Sequence, residues 1–450
     1  MKRRTMIRGM AGAGAFAAAA PAMRLFAEPP ENFRFVSLYM NGGWDVLLGF
    51  DARPPDARYD ELDVGTSLLA PEYRTPLEVE LGGRSVLWGR PTESLTLPGA
   101  SGEAPHSSLL TLFRSVNMNT VAHAAGRAYV NTFRSPVGVV PRGSSFGTVM
   151  STAGALSEEL VLPNVSIAMP TFNEAYEADY TGVGVALSTN IVDLLSPSRG
   201  SRLDDATEAL LAQAQDAAGS CVSRAYRGTR PEETLRGSRE RVRRLLEGNV
   251  GALFDVRADS PEGQALRDRF GLSMDQARNA RHPSTVGAIV GQLLSTGLSR
   301  SVSATLQVGL DTHNQNWTTD QAPRLQAAFE GLSALLWDLR ADDPNLERTV
   351  VTIHSEFART PRINGTSGRD HWFSNTIAVF GGPLRRGVLG ETVESTLNLQ
   401  RTNLSTGLPD SGGEMLRPEM IAATIAEAIG IDGSAFRAPS LQAWIEGGAR

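Results

Sequence analysis

"TVVTIHSEFARTPRINGTSGRDHW", residues 349–372, joins an apolar run to a polar loop. The run has the length and the β-branched residues of a strand that is buried on both faces. Glu356 follows the run, and Asp370 and His371 come one loop later. Because ligands gather at the carboxyl ends of strands in open α/β sheets, this pattern predicts a functional site at the end of a buried strand.

Strand and helix patterns alternate on both sides of this stretch. SVSATLQVGL and SNTIAVFGG are predicted strands, and RPEMIAATIAEAIG is a helix that Pro418 begins and Gly430 ends. DQAPRLQAAFEGLSALLWDLR is a helix with one apolar face, formed by Leu325, Phe329, Leu332, Leu336 and Leu339. This alternation with short loops predicts an α/β fold with a mostly parallel central sheet and helices on both faces.

Two further strands and a helical block complete the predicted organisation. FRFVSLYM (33–40) and LVLPNVSIAMP (160–170) have strand composition, whereas residues 202–299 have helical patterns. We expect a helical insertion at about 200–300. Its last segment, STVGAIVGQLLSTGLS, has no charged residue and is too short to span a bilayer well, so it predicts a buried helix.

The N-terminus has the pattern of an export signal. Arg3 and Arg4 precede a short alanine-rich apolar stretch, which is typical of the twin-arginine pathway. We expect a signal peptide at 1–27, a mature domain at 28–450, contact with the twin-arginine export machinery, and a periplasmic or secreted location. Cys221 is the only cysteine, which excludes an intrachain disulfide and zinc-thiolate chemistry.

Composition excludes several other classes. The chain has 450 residues, of which 41% are hydrophobic and 20% charged, as in ordinary soluble globular proteins. Its net charge of −6 gives no basic footprint for nucleic acid. We therefore expect no nucleic-acid partner and no transmembrane segment.

Acids and histidines follow three predicted strands. They are Asp45 in GGWD, Asp311 and His313 in GLDTHNQNW, and Glu356 with Asp370 and His371. Each residue alone has a plain structural explanation, such as a turn for Asp45 or a hydrogen-bonded rim position for a single histidine. Together they form the ligand set of zinc, manganese or iron rather than calcium. We expect one or two divalent ions, with zinc as the first expectation.

The segments GGWD, GLDTHNQN, SEFART with GRDHW, and FGGPLRRGVLG resemble an exported bacterial family, domain of unknown function 1501. That family is grouped with the alkaline phosphatase and sulfatase superfamily. The resemblance covers nearly the whole mature chain and implies an alkaline phosphatase-like fold.

The resemblance also implies roles for the candidate residues. Asp45 and Glu356 would bind one metal, and Asp311, His313 and His371 would bind the other. Asp370 would be a further ligand or an acid that supports a ligand through a hydrogen bond. This sequence has Glu356-Phe357 where the superfamily usually has Asp-His, which weakens or deletes one metal. Ala358 stands where the family has glycine.

The nucleophile expected in the superfamily is a serine, threonine or modified cysteine at a helix start. Here that position falls near His123, with Arg127 four residues later to bind an anion and Thr120 as the nearest hydroxyl. Either His123 is a ligand or general acid while Thr120 attacks, or the usual nucleophile is missing. Residues 120–132 are also typical of a core helix. Ser144 and Ser145 in RGSS offer two further hydroxyls, which a polar turn before a helix explains as well.

Several other polar residues have both a functional and a structural interpretation. Arg359 and Arg362 could bind an anionic substrate or be ordinary loop charges. His106 has the position of a helix start, His282 lies in a loop before proline, and His354 could face the site or pack in the core.

Three functional hypotheses follow. The first is an exported metal-dependent hydrolase or transferase that acts on a phosphate or sulfate ester, in a small molecule or a polymer. The second is a metal-stabilised periplasmic binding or assembly protein without catalysis, which the missing nucleophile favours. The third is metal-dependent isomerase or mutase chemistry.

Overall fold

The computed structural model of the protein describes residues 33–54, 58–59, 62–63, 65–154, 160–196, 206–207, 210, 213–214 and 250–446. The predicted signal peptide, Cys221 and most of the predicted helical segments between 202 and 249 lie outside the described residues. The strands described are β1 Arg34–Met40, β2 Arg58–Tyr59, β3 Leu62–Asp63, β4 Leu77–Leu81, β5 Arg84–Trp88, β6 Leu110–Asn117, β7 Asn164–Ile167, β8 Val183–Val185, β9 Ser301–Gln307, β10 Thr349–Ser355, β11 Ala358–Arg359, β12 His371–Trp372, β13 Ser374–Gly381 and β14 Gly387–Leu389. The helices described are α1 His123–Thr132, α2 Phe146–Met150, α3 Asn190–Leu195, α4 Pro261–Phe270, α5 Met274–Arg278, α6 Pro283–Ser295, α7 Ala322–Arg340 and α8 Pro418–Ala428.

Eight of these strands form one central sheet, in the order β14-β6-β13-β10-β1-β9-β7-β8. Neighbouring strands are parallel everywhere in this sheet except where β13 pairs with β6 and with β10. The predicted α/β fold with a mostly parallel sheet is therefore confirmed.

The sheet separates two apolar layers. Alternate residues of β1 point to opposite faces, so that Val36 and Leu38 join one layer and Phe35 and Tyr39 join the other. The first layer also contains the apolar residues of α6 and α7, and the second contains those of α1, α2 and α8. Helices thus cover both faces, as predicted.

The long helix α7 packs by the predicted face. Leu325, Phe329, Leu332, Leu336 and Leu339 are all fully buried. The charge-free helix α6 packs against α7 and is buried over most of its length, which confirms it as a core helix. Within the described residues, we find no helix with the length and apolar character needed to cross a lipid bilayer.

His106 begins a short helix, as predicted, but the segment after it is a strand. His106–Leu109 form a short 3-10 helix, and the chain then continues as the buried strand β6. The apolar run from Leu109 to Phe113 suits a buried strand and a buried helix equally, and pairing with β13 and β14 decides between them. The predicted strand at 160–170 is confirmed only over Asn164–Ile167.

Candidate metal centre

One edge of the sheet collects the candidate residues because of strand direction. The carboxyl ends of β6, β9 and β10 lie at this edge, since these strands are parallel to one another through their neighbours. The antiparallel strand β13 begins at the same edge, so the residues just before it arrive there too. His123 follows β6, Asp311 follows β9, Glu356 follows β10, and His371 precedes β13.

Three of these residues converge on one point. His123, Asp311 and His371 each offer a ligand atom, and the three atoms lie within 4.8 Å of one another. His123 Nε2 is 3.2 Å from Asp311 Oδ2, and His371 Nε2 is 3.3 Å from Asp311 Oδ1. Two imidazoles therefore face one carboxylate from two sides.

His313 adds a third imidazole to this group. Its Nε2 lies 3.0 Å from Asp311 Oδ1 and 2.8 Å from His371 Nε2. Arg359 Nη1, which can only donate, is 3.3 Å from the same His313 atom, whereas Asp311 Oδ1 can only accept, so the two neighbours make opposite demands on this nitrogen. Two ring nitrogens that face each other at 2.8 Å cannot both be lone pairs without a proton or a cation between them.

Each of the three imidazoles has its other nitrogen held by an acceptor. The Nδ1 contacts are His371 to the Val121 carbonyl at 2.7 Å, His313 to Asp370 Oδ1 at 2.9 Å, and His123 to Glu356 Oε1 at 2.9 Å. Hydrogen bonding from His313 lowers the pKa of Asp370, which keeps this acceptor ionised. With Nδ1 as the donor, the neutral ring presents its Nε2 lone pair to the cluster, an arrangement that orients histidines that ligate metals.

Glu356 supports His123 from the protein interior. Its carboxylate is fully buried, and Oε1 accepts hydrogen bonds from the Gly42 amide at 2.9 Å and from His123. Ser355 Oγ lies 2.9 Å from Oε2. Burial alone would raise the pKa of Glu356, but its hydrogen bonds hold this pKa below the ordinary value. The carboxylate therefore acts as an acceptor behind His123.

Arg359 holds Asp311 in place. Its side chain is fully buried, and it donates to Asp311 Oδ1 at 2.7 Å and to several backbone carbonyls, including that of Gly42. Burial raises the pKa of Asp311, but Arg359 outweighs this effect and lowers the pKa well below its usual range. Arg359 is thus committed to the protein and does not lie open to an anionic substrate.

The chemistry of this donor set fits a divalent metal ion. His123 Nε2 is a buried nitrogen without a hydrogen-bond donor or acceptor of good geometry among the described residues, although Asp311 lies near it. Three imidazole nitrogens with one carboxylate suit zinc, manganese or iron. A cation among these atoms would remove the conflict between the two facing Nε2 atoms of His313 and His371.

Asp45 has other partners. Its buried carboxylate accepts hydrogen bonds from the Trp317 indole at 2.8 Å and the Leu47 amide at 3.0 Å, and it pairs with Arg369 at 3.3 Å. Among the described residues, Asp45 and Glu356 share no hydrogen-bond partner, so the structure does not assemble a second donor group from them. Their joint role as ligands of one metal stays a prediction.

Thr120 and Arg127 lie on either side of the start of α1. The Thr120 hydroxyl accepts a hydrogen bond from the Ala122 amide at 3.1 Å, and within the described residues it has none with the histidines of the cluster. Arg127 is half exposed, and it reaches Asn41 at 3.3 Å and Glu356 at 3.9 Å. Thr120 precedes α1 and Arg127 lies within it, and the catalytic roles of both residues stay predictions.

The remaining histidines and serines are structural. His354 is fully buried and bonded to Ser37 at 3.0 Å, while His106 is buried against Trp337 and Arg340. His282 caps α6, and Ser144 and Ser145 accept hydrogen bonds from backbone amides of a neighbouring loop.

Two glycines allow the close approach of these segments. A Cβ at Gly42, which has a φ of +119°, would lie 2.5 Å from the Asp311 amide nitrogen. A Cβ at Gly126, inside α1, would lie 2.8 Å from Glu356 Cβ. Glycine is therefore needed for β1 to turn beneath Asp311 and for α1 to pack on the end of β10.

The roles of three contributors were not predicted from the sequence, although two of these residues were named there. The Val121 carbonyl orients His371, Arg359 orients Asp311, and Glu356 supports His123 rather than facing the cluster itself. No spacing rule marks a backbone acceptor. The position of Arg359, three residues after Glu356, was visible, but its burial was not.

Comparison with known proteins gives a family. A family model described as "Protein of unknown function (DUF1501)" matches residues 32–445. No curated protein matches the sequence. A solved structure of a mutant TAB5 alkaline phosphatase, with Mg bound in its M3 site, is similar at 9% identity and a TM-score of 0.28, over 78% of this chain and 92% of that chain. A likeness of that size supports neither a shared activity nor shared ligands.

Proposed function

The chain belongs to the DUF1501 family of proteins of unknown function, and we propose that it is a metal-dependent hydrolase or transferase of phosphate or sulfate esters. The convergence of three imidazole Nε2 atoms on the Asp311 carboxylate carries this proposal. We further propose an alkaline phosphatase-like ancestry and export through the twin-arginine pathway to the periplasm or the exterior.

His123, Asp311, His313 and His371 would hold the metal ion. A divalent cation supplies Lewis-acid polarisation of a phosphoryl or sulfuryl oxygen. The protein holds the donors in place beforehand, because Glu356, Asp370 and the Val121 carbonyl each fix one imidazole and Arg359 fixes the carboxylate. Such orientation removes the cost of arranging ligands at the moment of reaction.

The start of α1 is suited to bind the anionic part of the substrate. No side chain caps this helix, so the amides of its first turn are available to an anion near His123. Arg127 lies one turn further on, half exposed, where its charge adds to that of the helix start. Both features favour a substrate with a negative group beside the metal centre.

Water is the attacking group that we propose. Within the described residues, no serine, threonine or cysteine side chain forms a hydrogen bond with His123, Asp311 or His371. Thr120 as nucleophile requires its hydroxyl to turn from the Ala122 amide toward the substrate, and this remains the alternative.

A second candidate function is a metal-stabilised binding or assembly protein without catalysis. The Phe357 ring packs against His123 at 4.8 Å and His371 at 4.3 Å, at the position where the resemblance implies a histidine. An apolar ring in place of a ligand favours a single ion over two. This observation is compatible with a structural ion as well as with catalysis.

Metal content and turnover, measured on the same samples, test both functions. We would purify the protein without chelator and compare the wild type, Asp311→Asn, and the control Asp275→Asn, whose side chain is almost fully exposed on α5. The expected result is one metal equivalent by mass spectrometry and turnover of p-nitrophenyl phosphate or sulfate, both lost only in Asp311→Asn. Bound metal without any turnover would favour the second function, and no metal in any sample after reloading would refute both.

A further inference from the structure

A pocket opens beside Asp370, the acceptor that supports His313 of the cluster. It has a volume of about 370 Å³ and lies between the loop 360–364 and the loop 395–398. Pro361, Ile363 and Trp372 give it an apolar side, and Asp370 forms part of its wall. Small-molecule sites usually measure about 300–1,000 Å³, so this pocket has room for one small ring rather than a large ligand.

The aromatic wall of the pocket is fixed in position. Trp372 is half-buried, its indole N–H donates to the Leu397 carbonyl at 3.0 Å, and its ring packs on Phe373 at 4.8 Å between centroids. Asp370 and Trp372 lie two residues apart around strand β12, and both line the pocket, whereas the intervening His371 belongs to the cluster. The ring therefore offers a preset apolar surface to an occupant.

Polar groups that lack protein partners surround this surface. The side chains of Ser395 and Asn398 line the pocket, are exposed, and have no hydrogen bond to any described residue. Asp370 uses Oδ1 for His313 and Asn364, whereas no hydrogen bond within the described residues uses its Oδ2. The rim thus supplies an amide, a hydroxyl and a carboxylate oxygen to an occupant.

We propose that this pocket binds the pyranose ring of a sugar whose phosphate or sulfate ester lies at the metal centre. A pyranose has an apolar C–H face, which stacks on an indole, and a rim of hydroxyls, which match Asn398, Ser395 and Asp370 Oδ2. An aryl or alkyl group would use the apolar wall alone. The inference rests on the proposed function, because the ester must react at the neighbouring cluster.

The position of Asp370 connects the pocket to the metal centre. Its Oδ1 accepts from His313 Nδ1 at 2.9 Å, and the opposite nitrogen of His313 faces Asp311. A sugar hydroxyl on Oδ2 would therefore lie one imidazole away from the cluster. That separation suits an ester group on a carbon outside the ring, such as a hexose 6-phosphate or 6-sulfate.

The first experiment measures binding without activity. Saturation-transfer NMR on the full chain, purified without chelator, would use methyl glucoside, galactoside and mannoside, which carry no ester, as probes. Matched variants are Asn398→Ala, Ser395→Ala, and the control Asn345→Ala, which removes an exposed loop amide outside the pocket. We expect transfer to the ring protons of at least one probe, at least fivefold weaker in Asn398→Ala and unchanged in the control. No transfer from the wild type to any probe would overturn the inference.

The second experiment separates this inference from the proposed function. With metal-loaded protein, Asn398→Ala should lower kcat/KM about tenfold for the hexose 6-phosphate or 6-sulfate and change it less than twofold for the p-nitrophenyl ester. Equal losses of kcat/KM on both esters in Asn398→Ala would overturn the sugar pocket and leave the proposed function standing. Wild-type turnover of the p-nitrophenyl ester without turnover of any hexose ester would do the same. Sugar binding without turnover of any ester would instead overturn the proposed function, and with it the ester substrate inferred here.

Discussion

Replacing Glu356 by glutamine keeps the shape of a fully buried side chain and removes its charge. A glutamine oxygen at the Oε1 position would still accept from the Gly42 amide and His123, each at 2.9 Å. Its amide group would face Ser355 Oγ, which can accept because it donates to the Met40 carbonyl, and would lose only the longer contact from the Gly42 amide to Oε2 at 3.2 Å. The substitution therefore isolates the effect of charge on His123.

The expected effect of this Glu356→Gln change is a weaker metal site in a folded protein. Loss of a carboxylate behind a histidine ligand typically lowers metal affinity 10- to 100-fold, which corresponds to about 1.4–2.8 kcal/mol. Without metal, exchanging a charged for a neutral hydrogen bond costs only about 1 kcal/mol of unfolding free energy.

Competition with a chromophoric zinc chelator would measure the affinity, with Glu78→Gln on the exposed face of β4 as the control. Thermal unfolding with and without zinc provides an independent reading, because the gain in Tm from bound metal should shrink with affinity. Affinity within twofold of the wild type in Glu356→Gln, with an unchanged Tm for the metal-free protein, would refute the claim that Glu356 tunes His123 as a ligand.

Three further predictions address packing, pH and substrate. Gly126→Ala should destabilise the protein by about 1–2 kcal/mol in urea unfolding, since overpacking against Glu356 exceeds the gain in helix propensity; an unchanged midpoint would contradict this packing. Burial and Arg340 lower the pKa of His106 to about 3 in the folded protein. The free energy of unfolding should therefore decrease as the pH is lowered from 6.5 to 3, by up to about 1.4 kcal/mol per pH unit. His106→Gln should flatten this slope. Arg127→Ala should raise KM for the ester about tenfold at constant metal content, as expected for one charge-assisted hydrogen bond; an equal KM would exclude Arg127 from anion binding.

The periodicity of apolar residues and the composition of the segments were sufficient to predict most of the central sheet. The strands β1, β9, β10 and β13 and the buried face of α7 follow from alternation and helical spacing in the sequence. β6 could not be predicted in the same way, because its largely apolar stretch, Leu109–Phe113, is short and follows residues typical of a helix start. Pairing partners far along the chain, and not local propensity, make it a strand.

The direction of β13 is the feature of the site that the sequence does not reveal. A strand pattern has no direction, so His371 could be placed after the loop but not assigned to a sheet edge. β13 is antiparallel to β10, so β13 begins at the edge of the sheet where β10 ends. His371, which precedes β13, therefore lies at the same edge as the residues that follow β6, β9 and β10. The pairing of His123 with Glu356 was equally hidden, since it joins residues 233 positions apart.

The supports of the three histidines differ in exposure, and this difference orients the site. Glu356, behind His123, is fully buried, whereas Asp370, behind His313, is more than half exposed. Water and solutes can therefore compete for the hydrogen bond that orients His313, but not for the one that orients His123. The same Asp370 lines the pocket, so an occupant there would contact the support of the most exposed imidazole. Substrate should consequently approach from the side of His313, and its anionic group would be held at the cluster, near the start of α1.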